Sequence, residues 1–430
     1  MGPGRERLRR GRRGHPPPPR RRRLRRGGTR PQGPLPGTDH RRPLGRGRHA
    51  RRLAGWLSYE DLLAGARPAE DAHRGGSDLF GIFYTGGTTG RAKGIELSHD
   101  NLLGNAVGTL ATHPVATTRG RFLHAAPMFH LADLAAWVMG TLRETTHVMV
   151  PAFEPTAVLA AIERHRITDT LLVPTMLQLL CDHPDADTVD LSSVRNVIYG
   201  ASPMSEAVLE RSMQRFPHAD FVQAYGMTEL GPVATLLLPD DHLVAGLRRS
   251  AGRSAVAVDV RVVDAEDREV PPGTVGEIVV RGDNVMLGYW NRPEETAQAL
   301  RGGWMHTGDA GRMDDAGYLF VVDRIKDMIV TGGENVYSVE VEKALARHPA
   351  VASCAVIGVP DPTYGERVHA VVVLHPGAAA LPGELTDFCR THIANYKVPR
   401  SVEFIDALPV SGAGKVLKRV LRGARRAGHL

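Results

Sequence analysis

Short apolar runs alternate with helix-like segments along most of the chain, and this alternation limits the possible folds more than any other feature. The runs DLFGIFY (78–84), TDTLLVPT (168–175) and VRNVIYGAS (194–202) have the length and composition of buried strands. Amphipathic segments lie between them, such as HDNLLGNAV, for which Ser98 is a suitable N-cap. Strands that alternate with helices are typical of a parallel sheet with helices on its faces. We therefore predict an α/β fold.

Composition divides the 430 residues into three parts. Residues 1–52 are low-complexity Arg/Pro/Gly sequence that buries too little apolar surface to order itself, so we predict a disordered arm. Residues 53–323 form a large mixed domain, in which the β-rich stretch 257–282 indicates a small barrel-like region or sheet. Residues 324–430 form a small α+β C-terminal lid domain, with one helix predicted to be capped by Ser338.

The basic charge of the chain belongs to its arm. Residues 1–52 hold 19 Arg against Glu6 and Asp39, a local charge of +17, and because the whole chain carries +7, the remainder carries −10. Nucleic-acid binding would rest on the arm alone and be non-specific, so we expect no specific nucleic-acid partner. Three widely spaced cysteines indicate free thiols and a cytoplasmic protein. No run of about 18 apolar residues predicts a membrane span.

A glycine- and threonine-rich segment, FYTGGTTGRAKG (83–94), follows the first predicted strand. Glycines allow close approach to a ligand, threonines supply hydroxyl donors and a lysine supplies charge. The residues that could contact an anion are Thr85, Gly86, Gly87, Thr88, Thr89, Gly90 and Lys93. Arg91 stands where GxxxxGK[ST] requires its second glycine, and GxGxxG does not match either. From these residues alone, a phosphate-binding loop and a surface turn are equally good interpretations.

Six further motifs follow the loop in order. They are APMFH (126–130), YGAS (199–202), YGMTE (225–229), HTGD (306–309), DRIKDMIVTGGENVYSVEVE (323–342) and PVSGAGKVLKR (409–419). With the loop, in which Ala92 stands where proline is usual, they resemble the adenylate-forming superfamily of acyl-CoA synthetases, luciferases and peptide-synthetase adenylation domains. The resemblance runs from about Leu53 to Arg422 and is greatest to fatty and aryl acyl-CoA ligases. It implies that ATP and Mg²⁺ activate a carboxylic acid as acyl-AMP, which then acylates coenzyme A.

The resemblance assigns the nucleotide to residues of the large domain. Tyr225 would stack on adenine, Thr228 would contact a phosphate, and Glu229 would hold Mg²⁺. Asp309 would accept hydrogen bonds from both ribose hydroxyls, with Arg324 as a further donor there. Without the resemblance, YGMTE would be interpreted as a tight turn, Asp309 as part of an Asx-turn, and Arg324 as a surface charge.

The resemblance assigns the carboxylate and the coenzyme A to other residues. Gly200 and Ala201 are small and would leave room for adenine and the carboxylic acid. His130 would flank the pocket for the acid. Lys415 would stabilise the charge that develops during adenylation. Without the resemblance, His130 would be interpreted as a core residue and Lys415 as a solvated lysine near the C-terminus.

The resemblance also predicts a moving C-terminal domain. Lys326 would be its hinge, and Gly332 and Gly333 would line a tunnel for the pantetheine arm of coenzyme A, where a side chain would obstruct the thiol. A plain strand-to-helix turn is the simpler interpretation of TGGEN.

Two alternatives to an acyl-CoA synthetase stay open. An adenylating enzyme could load a separate carrier protein instead of coenzyme A. A non-catalytic remnant is also possible, because the family's large domain has a substantial portion before the phosphate loop that an Arg-rich arm replaces here. Loss of that portion would expose apolar surface and a strand edge.

Overall fold

The computed structural model describes residues 59–85, 92–410 and 416–426, called the described residues below. The predicted arm lies outside them. The chain divides into two compact units, one ending at Asp71 and the other running from Ala72 to Leu430. The first unit contains helix α1 (Tyr59–Gly65). All elements below belong to the second unit.

The second unit combines strands and helices along its whole length. Its strands are β1 (Leu79–Thr85), β2 (Lys93–Ser98), β3 (Arg121–His124), β4 (Thr146–Met149), β5 (Asp169–Leu172), β6 (Asn196–Gly200), β7 (Asp220–Gly226), β8 (Val233–Leu237), β9 (Arg253–Ser254), β10 (Val258–Val263), β11 (Gly276–Gly282), β12 (Gly288–Tyr289), β13 (Met305–Met313), β14 (Leu319–Arg324), β15 (Ile329–Thr331), β16 (Glu334–Val336), β17 (Val351–Asp361), β18 (Gly365–Leu374) and β19 (Ser401–Phe404). Its helices are α2 (His99–Thr112), α3 (Leu131–Leu142), α4 (Pro155–His165), α5 (Pro174–Cys181), α6 (Glu206–Arg215), α7 (Pro293–Ala299), α8 (Ser338–Leu345), α9 (Pro382–Arg390) and α10 (Lys418–Arg426).

The largest sheet has seven strands in the order β4-β3-β5-β6-β7-β8-β9. Its first five strands are parallel, whereas β8 and β9 are antiparallel to their neighbours. Both faces are covered, because the adjacent residues Ile198 and Tyr199 of β6 enter separate apolar cores. The predicted parallel α/β sheet is confirmed, and an antiparallel edge extends it.

Three smaller antiparallel or mixed sheets complete the unit. Strands β1-β2-β12 form one, and β10-β11-β13-β14 form the region predicted to be barrel-like or a sheet, which is an open four-stranded sheet. In the C-terminal part, β16-β15-β18-β17 carry β19 parallel to β18 and share an apolar core with α8 and α9. The predicted domain boundary at Asp323 lies in β14, one residue before its end.

Of the two predicted serine caps, one is confirmed and the other is wrong. Ser98 Oγ accepts a hydrogen bond from the Asn101 N–H at 3.1 Å, and the Asn101 side chain accepts the Ser98 N–H at 2.8 Å. Ser338 is instead the first residue of α8, with Tyr337 in the capping position. Its hydroxyl donates to the Asp323 carboxylate at 2.7 Å. Asp323 is buried, and a buried charge without hydrogen-bond donors is costly.

No helix in the described parts of the chain is both long and apolar enough to cross a membrane.

Candidate active site

Three residues from three strands form a chain of polar contacts. Tyr225 lies near the end of β7, Asp309 in β13 and Arg324 at the end of β14. The Tyr225 hydroxyl donates to Asp309 Oδ2 at 2.9 Å, and Arg324 Nε forms an ion pair with Oδ1 at 2.6 Å. Strand pairing sets Asp309 directly opposite Arg324. The Asp309 carboxylate therefore contacts the seven-stranded sheet through one oxygen and the neighbouring strand of its own four-stranded sheet through the other.

The Asp309 carboxylate is buried and rigidly supported. The residue is 6% exposed. Its N–H donates to Thr307 Oγ at 3.1 Å, and the Thr307 hydroxyl donates to the Ile278 carbonyl at 2.7 Å. Asp309 thus lies within a strand, which rules out the alternative of an isolated Asx-turn. Burial, and then the charge of Asp309, raises the pKa of Tyr225, so the phenol remains a donor.

A second polar group surrounds Glu229. This residue lies in a one-turn helix directly after β7 and is 7% exposed. Its Oε1 accepts a hydrogen bond from the Tyr289 hydroxyl at 3.1 Å. The Lys93 ammonium lies 4.5 Å from the centroid of the same ring and pairs with Glu295 at 2.6 Å. Burial raises the pKa of Glu229, and nearby positive charges oppose that rise.

Arg324 influences both polar groups, because its positive charge partly opposes the rise in the pKa of Tyr225, Glu229 and Tyr289. Gly200 pairs with Ala224, next to Tyr225. A Cβ atom on Gly200 would lie 2.2 Å from the Ala224 carbonyl oxygen, so no side chain fits there.

The Ala201 backbone is strained, with a left-handed φ of +67° directly after β6. Gly200 is therefore packed closely against the backbone of β7, and Ala201 follows it as an exposed residue in a left-handed conformation.

The predicted hinge residue, Lys326, lies in a short helical turn between β14 and β15. Burial lowers the pKa of its ammonium, and the nearby positive charge of Arg324 lowers it further. The next residue, Asp327, pairs with Arg422 of α10 at 2.8 Å. Lys418 of the same helix pairs with Glu342 of α8 at 2.7 Å. Helix α10 is therefore tied both to the predicted hinge and to the small domain.

Three other predicted residues lie at chain turns. Gly332 and Gly333 form the turn between β15 and β16 with φ of +60° and +85°, so TGGEN is a hairpin turn and the expected strand-to-helix turn is wrong. His130 immediately precedes α3, and its ring centroid lies 4.5 Å from that of Phe129.

The ends of the predicted phosphate loop are well placed relative to each other. Thr85 and Lys93 are direct partners in the β1–β2 pair, so the two ends of the predicted loop lie side by side. Thr228 begins the turn that contains Glu229. Six other predicted residues lie outside the described residues, namely Gly86, Gly87, Thr88, Thr89, Gly90 and Lys415.

The profile of the AMP-binding enzyme family matches residues 36–290, more than half of the chain. This chain is an AMP-binding enzyme. The profile of the family's C-terminal domain matches residues 340–415. The predicted membership of the adenylate-forming superfamily is confirmed.

Relatives and solved structures agree with this family. The AMP-binding enzyme is 47% identical to a feruloyl-CoA synthase from Amycolatopsis sp, over 80% of this chain and 70% of the relative. It is 40% identical to the fatty acid–[acyl-carrier-protein] ligase ScoC from Streptomyces coeruleorubidus, over 79% of this chain and 66% of the relative. It superposes with a TM-score of 0.76 on the o-succinylbenzoate coenzyme A synthetase MenE from Bacillus subtilis in complex with ATP and magnesium ion, at 32% identity over 84% of this chain and 74% of that one. The predicted enzyme class, with acyl-CoA synthetases as relatives, is confirmed.

Sequence patterns did not predict Tyr289 and Glu295, which contact two of the predicted site residues, Glu229 and Lys93. The signal was present in the stretch MLGYWNRPEET, where an aromatic pair precedes a proline-initiated helix with an acidic first turn. Local sequence predicts α7 from this pattern but cannot reveal that β12 pairs with β2 and so brings Tyr289 to Lys93.

A magnesium ion fits this site only together with a ligand. No cluster of three or more His, Cys, Asp or Glu residues suited to a metal occurs in the parts of the chain that the structure describes. Glu229 offers one buried carboxylate, and Mg²⁺ commonly uses one or two carboxylates plus substrate phosphates and water. The residues therefore fit an ion that arrives bound to a nucleotide.

Proposed function

We propose that this AMP-binding enzyme is an acyl-CoA synthetase that couples a carboxylic acid to AMP and then transfers the acyl group to coenzyme A. The observation that carries the proposal is the Tyr225–Asp309–Arg324 chain, with Glu229 in the turn directly after β7. An aromatic ring, a buried carboxylate and a metal-binding carboxylate match the three parts of Mg·ATP: base, ribose and phosphates.

Asp309 binds the ribose in this proposal. One oxygen accepts a hydrogen bond from Tyr225, and the other forms an ion pair with Arg324. A carboxylate offers acceptor lone pairs on both oxygens, which suits two adjacent ribose hydroxyls. The present contacts orient the carboxylate and Tyr225 contributes its ring to the adenine, with Gly200 and Ala201 alongside.

The triphosphate lies between Glu229 and the loop that starts at Thr85. Thr228 and Lys93 contact phosphate oxygens, as do the loop residues Gly86, Gly87, Thr88, Thr89 and Gly90. Glu229 holds Mg²⁺, whose charge would offset that of the phosphates. The cost of burying the Glu229 charge, visible in its raised pKa, is lowered when a cation binds beside it.

The chemistry proceeds in two steps. A carboxylate oxygen attacks the α-phosphorus, the bond to the β-phosphate oxygen breaks, and pyrophosphate leaves with the electron pair; Lys415 stabilises this charge. The C-terminal domain then turns at Lys326. The coenzyme A sulfur attacks the acyl carbon past Gly332 and Gly333, AMP leaves, and the thiol proton passes to solvent.

The acid lies near His130 in this proposal. Because a relative at 47% identity is a feruloyl-CoA synthase, ferulate is the first acid to test, followed by fatty acids. The cytoplasm supplies ATP, coenzyme A and reducing conditions suited to the three free cysteines, so we propose that the enzyme works there.

A carrier protein is the second candidate acceptor, because the relative ScoC is named as an acyl-carrier-protein ligase. The deciding experiment has two stages. Exchange of labelled pyrophosphate into ATP is measured with a panel of acids, and the Asp309→Ala variant serves as the control with weakened nucleotide binding. The acyl acceptor is then identified by mass spectrometry of thioesters formed with coenzyme A or with an acyl carrier protein. Absence of acid-dependent exchange in well-folded protein contradicts the proposed function, and thioester on the carrier alone favours the second candidate.

A further inference from the structure

Tyr289 contacts two charged residues of the candidate site through different parts of one side chain. Its hydroxyl donates to Glu229, and its ring face lies beneath the Lys93 ammonium. These partners come from distant parts of the chain, the turn after β7 and the start of β2. Tyr289 is 8% exposed, so both contacts are largely shielded from water.

The backbone of Tyr289 is also restrained. Tyr289 pairs with Ile95 of β2, and the Tyr289 N–H donates to Thr296 Oγ at 2.9 Å. The Thr296 hydroxyl in turn donates to the Arg292 carbonyl at 2.8 Å. Strand β12 is thereby fastened both to β2 and to the first turn of α7, which leaves the ring little freedom to move.

Helix α7 restrains Lys93 from the other side. Glu295 Oε2 lies 2.6 Å from the Lys93 ammonium, and the second oxygen of Glu295 accepts from Arg292 at 2.8 Å. The ammonium is therefore held between a carboxylate and an aromatic face. A ring face attracts a cation through its quadrupole, and a partly desolvated cation is attracted more strongly.

We propose that Tyr289 is a positioning residue that sets the separation of Glu229 and Lys93, so that one Mg·triphosphate group can engage both. The inference rests on the proposed function and assigns to Tyr289 a role in nucleotide affinity. The hydroxyl orients the carboxylate toward the ion, and the ring keeps the ammonium facing the phosphates. Burial and the Glu229 charge raise the pKa of Tyr289, so its hydroxyl remains a donor.

Two substitutions separate the two contacts, and the chain contains a matched control. Tyr289→Phe removes only the hydroxyl, whereas Tyr289→Leu also removes the ring. Tyr318 has the same pair of contacts elsewhere, with its hydroxyl 2.6 Å from Asp241 and the Arg253 guanidinium 5.0 Å from its ring. Tyr318→Phe and Tyr318→Leu therefore control for the general loss of such contacts.

The measurement is calorimetric binding of ATP to the full chain without any carboxylic acid, once with Mg²⁺ and once with a chelator. Tyr289→Phe should weaken binding of Mg·ATP about tenfold, as expected when a carboxylate loses a hydrogen bond, and leave metal-free ATP nearly unchanged. Tyr289→Leu should weaken both forms, by about threefold for metal-free ATP. Both Tyr318 variants should bind like the wild type.

Wild-type affinity for Mg·ATP in Tyr289→Phe would overturn the inference, as would equal losses with and without metal. If the wild type itself binds no Mg·ATP, the proposed function fails instead. Should Tyr289→Phe not fold, a fluorotyrosine at position 289 retains both contacts, and its ¹⁹F resonance should shift with Mg·ATP more than with metal-free ATP. An unchanged resonance would equally overturn the inference.

Discussion

The nucleotide region and the hinge region use the same interaction, a basic side chain on a carboxylate, in different surroundings. Asp309 is 6% exposed and contacts side chains on two other strands. The Asp327–Arg422 pair joins a one-turn helix to α10, and its carboxylate side chain is 15% exposed, against 8% for that of Asp309. The Asp309 carboxylate is fixed by an opposite strand of its own sheet and by Tyr225 of another sheet, which preorganises it, whereas the Asp327–Arg422 pair is set between a short helical turn and α10. The first region therefore suits a role in both half-reactions, and the second suits an element that moves between them.

Lys415→Ala should have the largest effect of the five substitutions, and the effect should differ between the two half-reactions. The rate of acyl-adenylate formation should fall roughly 10²–10³-fold, because a fixed charge that stabilises the departing pyrophosphate is lost. Conversion of supplied acyl-adenylate by coenzyme A should be largely spared. Rapid-quench measurement of each half-reaction checks this, and equal losses in both would contradict the role of Lys415.

Asp309→Ala should impair both half-reactions. ATP and acyl-adenylate share the ribose, so the affinity for each should fall about 10²-fold. Asp259→Ala is the control, since Asp259 also binds a guanidinium, that of Arg281, but at an exposed position. Calorimetry with ATP and with a stable acyl-adenylate analogue measures the losses. If the affinity falls for only one of the two ligands, the nucleotide region does not serve both half-reactions.

Gly333→Leu should affect only the second half-reaction. Thioester formation should slow about tenfold as the side chain displaces the pantetheine arm, while pyrophosphate exchange continues. Gly317→Leu is matched for backbone strain, because φ is +80° there and +85° at Gly333, with open space at both positions. Similar slowing in both variants would mean that backbone strain, not a tunnel, limits the reaction.

Arg422→Gln should change the balance between half-reactions rather than abolish either. Losing a partly exposed ion pair to Asp327 should shift the ratio of the two rates by about threefold. The control is Arg390→Gln, which breaks an exposed pair with Asp387 within α9. If both rates change in proportion, or if the Arg390 variant behaves in the same way, the pair does not influence domain placement.

Glu229→Gln should have the smallest effect of the five substitutions, a slight increase in the stability of the folded protein. Burial raises the pKa of Glu229, so at neutral pH the ionised side chain destabilises the folded state. A neutral glutamine, which can still accept from Tyr289, should raise Tm slightly. The gain should shrink as the pH falls and the carboxyl becomes protonated in both states. Thermal unfolding at several pH values measures it; a lower Tm at pH 7 would contradict the electrostatic argument.

Sequence reasoning succeeded where a residue's role depends on its immediate neighbours. It correctly predicted the strand around Tyr199 and the Ser98 cap, because apolar runs and capping hydroxyls act within a few residues. The strand that ends at Thr85 is also present, but its predicted burial is wrong, since Leu79, Phe80 and Tyr84 are exposed. Sequence reasoning also misjudged Ser338, where a carboxylate fifteen positions earlier in the chain recruited the hydroxyl. Local propensity carries no information about such a partner.

By itself, the sequence determined the class of fold, the family and the identity of most candidate site residues, since motif order and apolar periodicity are written in linear form. Only the tertiary structure decided which of these residues meet. Tyr225 and Asp309 are 84 positions apart, and Glu229 and Tyr289 are 60 apart. Hydrogen bonds and cation–π contacts act over a few ångströms, so their partners are set by the pairing of strands and not by spacing along the chain.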